Sequence, residues 1–406
     1  MKKNILLLAN IYKDPDVKLL NQTDVCHYFT KEWVKMGYEV KVIYNYTIYT
    51  KALHKIATFF EKHIANWALS SVNTIRPTTN KEYTLDGVKV IKLPIFKFIP
   101  RIKFSKKTIN KQFDKIISFN KKHDFVPDIV VGHFHNPSLI LVNLLKKEYS
   151  AKTCIVLHGD TSNIKKMYKN NFTELISNID IWGYRSKAIG SNFEKIYGIR
   201  PKSFICYSGI PVQYLSNSKE KVFSEKIYNF IYVGALIKRK HPISLLYALN
   251  KVYPNKKFSL TYVGKGSEKK QLIEKAKKLE LTSNVKFLGH ISREEVSKQL
   301  NKSDVFIMIS ENEAFGLVYL EAMAKGCITI GSINEGIDGI IKNKENGFLC
   351  EAGNNEELAD LLKKINALTT KQKHTLSRNA RTTCNSLTDF KAAETYVQII
   401  SGLKIN

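Results

Sequence analysis

Short apolar segments alternate with amphipathic segments along almost the whole chain. Each apolar segment is long enough for one buried strand, and the segments between them have helical periodicity. In the first half we predict strands at 4–9, 39–44, 128–132 and 153–157, a helix at 24–36, and two strands within 83–92 that turn at Asp86-Gly87. In the second half we predict strands at 230–234, 258–264, 285–289, 304–310 and 327–330, and helices at 242–252, 267–279, 292–300, 355–368 and 389–403.

This alternation indicates an α/β protein in which parallel sheets are covered by helices on both faces. The rhythm restarts after Ser208, so the 406 residues are expected to form two doubly wound, Rossmann-like domains that face each other across a cleft. The predicted boundaries are 1–208, 209–387, and 388–406 for a C-terminal helix that packs back on the first domain. Ligands of open parallel sheets bind beyond the carboxyl ends of the strands, so the loops after the strands carry the candidate chemistry.

The chain is strongly basic, with 64 Lys and Arg residues against 36 Asp and Glu residues and a net charge of +28. Such a charge attracts nucleic acid, an anionic membrane surface or phosphorylated substrates. Residues 92–122 contain ten Lys or Arg residues, one acid (Asp114) and five interleaved phenylalanines, and residues 51–70 are a second basic and aromatic segment. This mixture favours a peripheral surface on an anionic membrane. Nucleic-acid binding is the alternative, but the sequence has none of the usual DNA- or RNA-binding patterns.

Other features of the sequence narrow the class of protein. No apolar run is long enough for a transmembrane helix. The six cysteines form no Cys-x-x-Cys pair and several lie in apolar runs, which predicts buried free thiols and a cytoplasmic location, extending to the inner face of the plasma membrane if the basic surface binds there. The P-loop, Gly-x-Ser-x-Gly and His-Glu-x-x-His patterns are absent.

Two acids eight positions apart, Glu313 and Glu321, flank a predicted turn and helix start. The backbone N–H groups of residues 315–318 would be exposed at that helix start, where an anion such as a phosphate is favoured. Acids on either side could hold sugar hydroxyls. Alone, the same pattern is also compatible with an ordinary strand–helix unit that carries two surface glutamates.

Cations and glycines follow two other strands of the second half. Gly234 is followed by a basic loop with Arg239 and Lys240, which can hold a diphosphate or form a solvated basic loop. Gly264 and Gly266 form a tight turn where backbone can approach a ligand, although the full Gly-x-Gly-x-x-Gly spacing is lacking.

Polar residues also follow the strands of the first half. His158 and Asp160 end one predicted strand, and His133 and His135 end another. Such a histidine can contact a sugar or phosphate oxygen, carry a proton, or serve only the structure. The three histidines lack an acid or cysteine partner for a metal site. The Asp14-Pro-Asp16 segment could hold a magnesium diphosphate, but it is also typical of a turn.

Taken together and in order, these motifs resemble the retaining, two-Rossmann-domain (GT-B type) nucleotide-sugar glycosyltransferases of group 1, also called family 4. That family includes enzymes of bacterial surface polysaccharides. The resemblance covers most of the second domain and is looser in the first. Its segments are 233–240, 263–266, 285–289, 303–304, the Glu-x7-Glu block at 313–324, and 346–349.

The resemblance implies a role for each matching residue. Glu313 would contact the donor sugar near the reacting carbon, Glu321 would hold the ribose, and His158 would lie beside the sugar. Phe315, Gly316, Leu317 and Val318 through their backbone, and Lys240 through its side chain, would hold the diphosphate. Gly234 and Arg239 would line the donor site, Gly264, Phe287 and Leu288 would lie near the base, and His133, His135 and Asp160 would lie on the acceptor side.

Three departures from the family pattern stand out. The glycine-rich loop after the first strand is replaced by residues 14–23, which contain no Gly-Gly pair. Ala235 occupies the position after the glycine where the family often has arginine, and Arg239 could substitute for it. The segment 334–339 replaces the usual paired glycines followed by glutamate.

The implied reaction is transfer of a hexose or N-acetylhexosamine to a hydroxyl of a glycan or lipid-linked acceptor, with retention. The donor would be a nucleotide-diphosphate sugar, with UDP favoured and GDP compatible, and the reaction would need no bound metal or cofactor. A nucleotide-sugar epimerase of the same architecture is the alternative enzyme.

Overall fold

The computed structural model describes residues 3–16, 23–56, 59, 76–100, 102–159, 161–216 and 220–403. It divides into two compact units, each with its own sheet. Unit 1 comprises Met1–Tyr184, Asn192–Cys206 and Ala392–Asn406, and unit 2 comprises Arg185–Ser191 and Tyr207–Lys391.

In the described part of unit 1, eight strands form one sheet of order β3-β4-β2-β1-β5-β6-β7-β8. The strands are β1 (Asn4–Ala9), β2 (Glu39–Ile48), β3 (Lys81–Leu85), β4 (Val88–Phe96), β5 (Ile129–His133), β6 (Lys152–Leu157), β7 (Ile181–Tyr184) and β8 (Ser203–Ile205). Neighbours are parallel, except that β3 and β4 form an antiparallel hairpin. Its turn lies at Asp86 and Gly87, as predicted, and both have positive φ, as a two-residue hairpin requires.

Helices cover the sheet of unit 1, and the last helix of the chain joins its core. Trp33 donates its indole N–H to the carbonyl of Ala393 (2.8 Å), and the Tyr396 ring packs edge-on against Trp33 and Phe29. The helices of this part of the chain are Val25–Lys35, Lys106–Lys122, Ser138–Tyr149, Ile164–Tyr168, Phe172–Ser177, Lys187–Tyr197 and the C-terminal Asp389–Ser401.

Unit 2 contains a parallel sheet of order β11-β10-β9-β12-β13-β14, counting the residues that are described. Its strands are β9 (Asn229–Val233), β10 (Ser259–Val263), β11 (Val285–Gly289), β12 (Val305–Ile307), β13 (Ile328–Ser332) and β14 (Phe348–Cys350). Its helices are Gln213–Ser216, Pro242–Val252, Lys269–Lys278, Arg293–Lys302, Leu317–Ala324, Asn355–Ala367 and Thr370–Asn385. The order reverses between β9 and β12, so the loops after these strands lie where a doubly wound sheet binds its ligand.

The structure corrects the interpretation of residues 92–122 as a surface segment. The segment contains the helix Lys106–Lys122, which the sequence prediction missed. Phe104 and Phe119 are buried in the core, whereas Phe98 is 65% exposed. The basic and aromatic surface is therefore smaller than the sequence suggests. Of the second such segment, 51–70, only residues 51–56 and 59 belong to the described part of the chain.

Each of the two acids of the Asp14-Pro-Asp16 segment forms an ion pair with a lysine. The Lys92 ammonium lies 2.6 Å from the carboxylate of Asp14, with both side chains almost fully buried, and 4.2 Å from the centre of the Tyr46 ring. Asp16 pairs with Lys81 at the surface. These contacts give both acids a structural role.

All six cysteines are buried free thiols, as predicted. Within the described residues, no helix combines the length and apolarity needed to cross a membrane.

Candidate donor-binding site of unit 2

The loop after β12 leads directly into the helix Leu317–Ala324. The strand ends at Ile307, three residues earlier than predicted. Gly316 precedes the helix with a φ of 76°, and a Cβ there would lie only 2.5 Å from the Tyr319 ring, so glycine alone fits this turn. No side chain caps this helix start, which presents the positive end of the helix dipole.

Glu313 meets the cations of the Lys238–Lys240 turn. Its Oε2 lies 2.9 Å from the Lys240 ammonium and 3.6 Å from the Arg239 guanidinium. The Glu313 and Lys240 side chains are only 12% and 13% exposed. The structure thus brings together the acid and the cation that the sequence analysis singled out separately, and each neutralises the other.

Arg239 is held mainly against the loop before Glu313. Its Nη1 donates to the carbonyl oxygens of Glu311 (3.2 Å) and Asn312 (3.3 Å). In return, the N–H of Glu311 donates to the carbonyl of Arg239 at 2.7 Å. The two loops are therefore joined by backbone as well as by charge.

Gly234 and Gly264 allow the ends of β9 and β10 to touch. A Cβ on Gly264, whose φ is 137°, would lie 1.9 Å from the carbonyl oxygen of Gly234. A Cβ on Gly234 would lie 3.5 Å from the Lys240 side chain. Only glycine at position 264 therefore permits this close approach of the two loops.

Glu321 is buried in the helix that follows Gly316, with 6% exposure. Arg293 grips its Oε1 through Nε at 3.0 Å and Nη2 at 2.6 Å. Sequence reasoning missed Arg293, whose only local signal is its place directly after the helix-capping Ser292. The ion pair fixes the direction of the Glu321 carboxylate.

The apolar residues that the sequence analysis assigned to the donor site lie in different surroundings. Phe287 stacks on Tyr262 with ring centres 5.3 Å apart, and Leu288 is 39% exposed at the end of β11. Phe315 is buried, with the Arg185 guanidinium 5.3 Å from its ring centre. Leu317 and Val318 are half-buried in the first turn of the helix.

Glu335 is a second residue that the sequence analysis did not select. Its two carboxylate oxygens accept the backbone N–H groups of Asn312 (2.9 Å) and Glu313 (2.7 Å). Burial, with a further contribution from the charges of Glu313 and Glu311, raises the pKa of Glu335, although the two hydrogen bonds oppose this shift.

The candidate histidines belong to unit 1. His133 is fully buried, and its Nδ1 lies 2.7 Å from Nε2 of His158. The His133 Nε2 lies 3.3 Å from the Tyr396 hydroxyl, and the His158 ring stacks on Phe134. The carbonyl of His135 accepts the Tyr168 hydroxyl at 2.7 Å. Asp160 lies outside the described residues.

In the parts of the chain that the structure describes, no group of three or more His, Cys, Asp or Glu side chains is placed to hold a metal ion. The cationic groups at the candidate site are those of Lys240, Arg239 and Arg293.

Residues 215–383, which carry this site, match the family model of group 1 glycosyl transferases. Unit 2 belongs to the group 1 glycosyltransferase family. Among curated proteins, the chain is 34% identical over 142 residues to N-acetyl-alpha-D-glucosaminyl L-malate synthase of Bacillus anthracis, covering 35% of this chain and 37% of that protein. It is 26% identical over 275 residues to the amylovoran biosynthesis glycosyltransferase AmsK of Erwinia amylovora, covering 62% and 64%. The chain thus spans about a third to two thirds of these relatives' own lengths.

Solved structures share the fold over almost the whole chain. Sucrose-phosphate synthase from Thermosynechococcus elongatus superposes with a TM-score of 0.71 at 16% identity, covering 98% of this chain and 100% of that one. HepE from Anabaena in complex with UDP superposes with a TM-score of 0.69 at 16% identity and the same coverage. The chain therefore has the two-Rossmann-domain α/β fold that the sequence predicted.

Proposed function

We propose that this protein is a retaining glycosyltransferase that moves a hexose or N-acetylhexosamine from a nucleotide-diphosphate sugar to a hydroxyl group. The observation that carries the proposal is the Glu313–Lys240 ion pair beside the uncapped helix start at Gly316. An acid, a cation and a helix N-terminus provide the contacts that a sugar joined to a diphosphate requires.

Each part of the donor has a matching group in this proposal. Lys240 and the backbone N–H groups of residues 315–318 hold the diphosphate, and the Glu321 carboxylate, aimed by Arg293, accepts the ribose hydroxyls. Gly264, Phe287 and Leu288 provide the surface for the base. UDP is favoured because the similar HepE structure contains UDP, and GDP is the second candidate.

The chemistry proposed for this site needs no nucleophilic side chain. The diphosphate leaves with a growing negative charge that Lys240, Arg239 and the helix N-terminus stabilise. The acceptor hydroxyl attacks from the face that the diphosphate leaves and gives its proton to that diphosphate, so the configuration is retained. Since these fixed charges lie at the leaving group, we propose that the reaction requires no metal ion.

In the proposal, Glu313 serves the donor sugar rather than the diphosphate. The diphosphate takes over the Lys240 ammonium, and the Glu313 carboxylate is then available to accept sugar hydroxyls near the reacting carbon. In unit 1, His158 is proposed to hydrogen-bond a sugar hydroxyl, with its ring direction set by His133 and Phe134. His133, His135 and Asp160 remain proposals for the acceptor side.

We further propose that the acceptor is a glycan or lipid-linked glycan of cell-surface polysaccharide synthesis. The similarity to AmsK supports the polysaccharide class. Lys107, Lys111 and Lys115 line one side of a groove of about 290 Å³ in unit 1, and Phe96 lines it as well. The Phe96 ring contacts the exposed Phe98 at 4.9 Å. Adjacent cationic and apolar groups suit the phosphate and chain of an anionic lipid at the inner face of the membrane.

The proposal is tested by incubating the purified chain with UDP- and GDP-sugars, with and without glycan acceptors, and measuring free nucleotide and sugar products. Release of UDP that depends on an acceptor and survives chelation of divalent cations supports the proposal. Interconversion of the donor sugar without nucleotide release would instead favour the epimerase alternative. Absence of both reactions across the panel would contradict an enzymatic role for the site.

A further inference from the structure

We propose that Arg239 and Glu335 are positioning residues that fix Glu313 by clamping the two peptide groups on either side of Asn312. The inference rests on the proposed function, in which Glu313 contacts the donor sugar. It assigns to Glu335 a task that no sequence motif indicates, and it gives Arg239 a second task besides the diphosphate.

The clamp grips each peptide group at both ends. The peptide between Glu311 and Asn312 has Arg239 at its carbonyl oxygen (3.2 Å) and Glu335 at its N–H group (2.9 Å). The peptide between Asn312 and Glu313 has the same two partners, at 3.3 Å and 2.7 Å. Because the C=O and N–H bonds of a trans peptide point in opposite directions, the cation and the carboxylate hold the loop from opposite sides.

The backbone at Asn312 explains why such a clamp is needed. Its φ is 54°, in the left-handed region that residues other than glycine seldom occupy. This conformation turns two successive N–H groups towards one point and forms an anion-binding concavity. The Glu335 carboxylate fills that concavity, so it stabilises the conformation that sets the direction of the next side chain, Glu313.

The loop that carries Glu335 packs closely against the loop that carries Glu313. A Cβ on Gly336 would lie 2.5 Å from the carbonyl oxygen of Glu313 and from the N atom of Phe315. Backbone therefore packs directly on backbone at Gly336, which brings the preceding Glu335 within reach. Glu335 lies in the segment 334–339, where the sequence departs from the paired glycines of the family that it resembles.

The surroundings of Glu335 disfavour the charged form of its carboxylate. Glu311 and Glu313 repel the Glu335 carboxylate, and burial disfavours its charge. Lys240 and Arg239 are the cations that lie against Glu313. The carboxylate is held in this acidic surrounding by its two N–H bonds, which indicates that its position is specified by the loop that it grips.

The test compares the full-length wild type with Glu335→Ala, Glu335→Gln and the control Glu345→Gln, an exposed glutamate of the same unit. Amide hydrogen exchange at residues 312 and 313 reports the clamp without requiring activity. Exchange there is expected to be about tenfold or more faster in Glu335→Ala, and intermediate in Glu335→Gln, which preserves volume and one acceptor oxygen. Unchanged exchange in both Glu335 variants would overturn the clamp.

Steady-state kinetics then test what the clamp does. In Glu335→Ala, kcat should fall about tenfold or more while KM for the donor stays within about threefold, because Glu313 is misplaced and the diphosphate contacts remain. Glu335→Gln should recover part of kcat, and Glu345→Gln should match wild type. Faster exchange with an unchanged kcat would overturn the positioning role. If the wild type transfers no sugar, the proposed function fails, and the exchange result alone decides whether the clamp exists.

Discussion

At the scale of single residues, both acids of the candidate site are already paired with a cation. Lys240 lies 2.9 Å from Glu313, and Arg293 grips Glu321 at 2.6 Å. A diphosphate would compete with Glu313 for Lys240, so binding the donor would release the first acid towards the sugar. The second acid keeps its partner, because Arg293 engages Oε1 and Oε2 remains the oxygen that a ribose would approach.

Replacement of Arg293 by Gln should weaken UDP binding by about tenfold, equivalent to about 1.4 kcal/mol, because Glu321 loses the partner that aims it. Arg293→Lys should recover only part of the affinity, since lysine cannot form the same two-pronged contact. Titration calorimetry with UDP measures both effects. Lys298→Gln on the same helix is the control, and equal affinities for all four proteins would refute the role given to Arg293.

His27 should make stability depend on pH. Its side chain is 1% exposed, and its Nε2 lies 2.9 Å from Asp86. Burial, opposed by the Asp86 hydrogen bond, lowers the pKa of His27. Below about pH 6.5 the unfolded chain therefore binds more protons at this site than the folded chain. The stability that the neutral His27 side chain contributes is complete above about pH 6.5. It is lost as the pH falls, with a slope of at most about 1.4 kcal/mol per pH unit.

Urea unfolding of wild type and His27→Gln between pH 8 and pH 5 measures this effect. The free energy of unfolding of wild type should decline below about pH 6.5 more steeply than that of the variant. Parallel curves for the two proteins would show that His27 does not titrate as its burial requires.

The residues that a local motif marks could be predicted, and their distant partners could not. Glu313, Glu321 and Lys240 stood out because each follows a strand in a recognisable spacing. Arg293 lies 28 positions from Glu321, and Glu335 lies 22 positions from Glu313. No periodicity connects such pairs, because only the order of the strands in the sheet brings them together.

At the scale of elements, hydrophobic periodicity and turn residues predicted most of the helices and strands of unit 2 and some of those of unit 1. The helix Pro242–Val252 and the strand Val285–Gly289 match the predicted bounds. Two polar helices, Lys106–Lys122 and Thr370–Asn385, were missed. In Thr370–Asn385 the buried face includes Leu376, Ala380 and Cys384, four residues apart, and is obscured by the polar residues around it. A narrow apolar stripe of this kind gives too weak a signal in the sequence alone.

The buried pair of Asp14 and Lys92 should contribute to the stability of unit 1, because it joins the segment after β1 to β4. Lys92→Met should reduce the free energy of unfolding by about 3–5 kcal/mol, since it leaves the Asp14 carboxylate buried without a counterion. The double variant Asp14→Leu, Lys92→Met should recover much of this loss. Urea unfolding measures all three proteins.

The exposed pair of Asp16 and Lys81 provides the control. Its side chains are 52% and 50% exposed, so Lys81→Met should change the free energy of unfolding by less than about 1 kcal/mol. An equal loss in Lys81→Met and Lys92→Met would contradict the special cost assigned to the buried pair.

At the scale of the whole molecule, the net charge of +28 remains the feature that the donor site does not account for. Ion pairs such as Lys92–Asp14 and Lys240–Glu313 leave this net charge unchanged, because each joins one cation to one acid. Phe98 and Ile99 are exposed, and the Phe98 ring contacts Phe96, which lines the same groove as Lys107, Lys111 and Lys115. Burial lowers the pKa of Lys97 in this surface to about 8. This combination supports the membrane surface proposed above.

Binding of the full chain to anionic vesicles should therefore be salt-sensitive, and binding to neutral vesicles should be weak. Replacing Phe98 and Ile99 by serine should remove about 3 kcal/mol of favourable transfer if both side chains enter the bilayer. Vesicle sedimentation measures the partitioning, with Ile199→Ser, an exposed apolar residue elsewhere in unit 1, as the control. Equal binding to both kinds of vesicle would contradict the proposed membrane surface.

The most direct test of the account is the turnover of Glu313→Gln with the nucleotide sugar and acceptor that serve wild type best. The account predicts that kcat falls by about a hundredfold, or about 2.7 kcal/mol in barrier, with little change in melting temperature. Glu345→Gln should stay within about twofold of wild type. A Glu313→Gln turnover within about threefold of wild type, a change in barrier of less than about 0.7 kcal/mol, would contradict the role of Glu313 in sugar transfer.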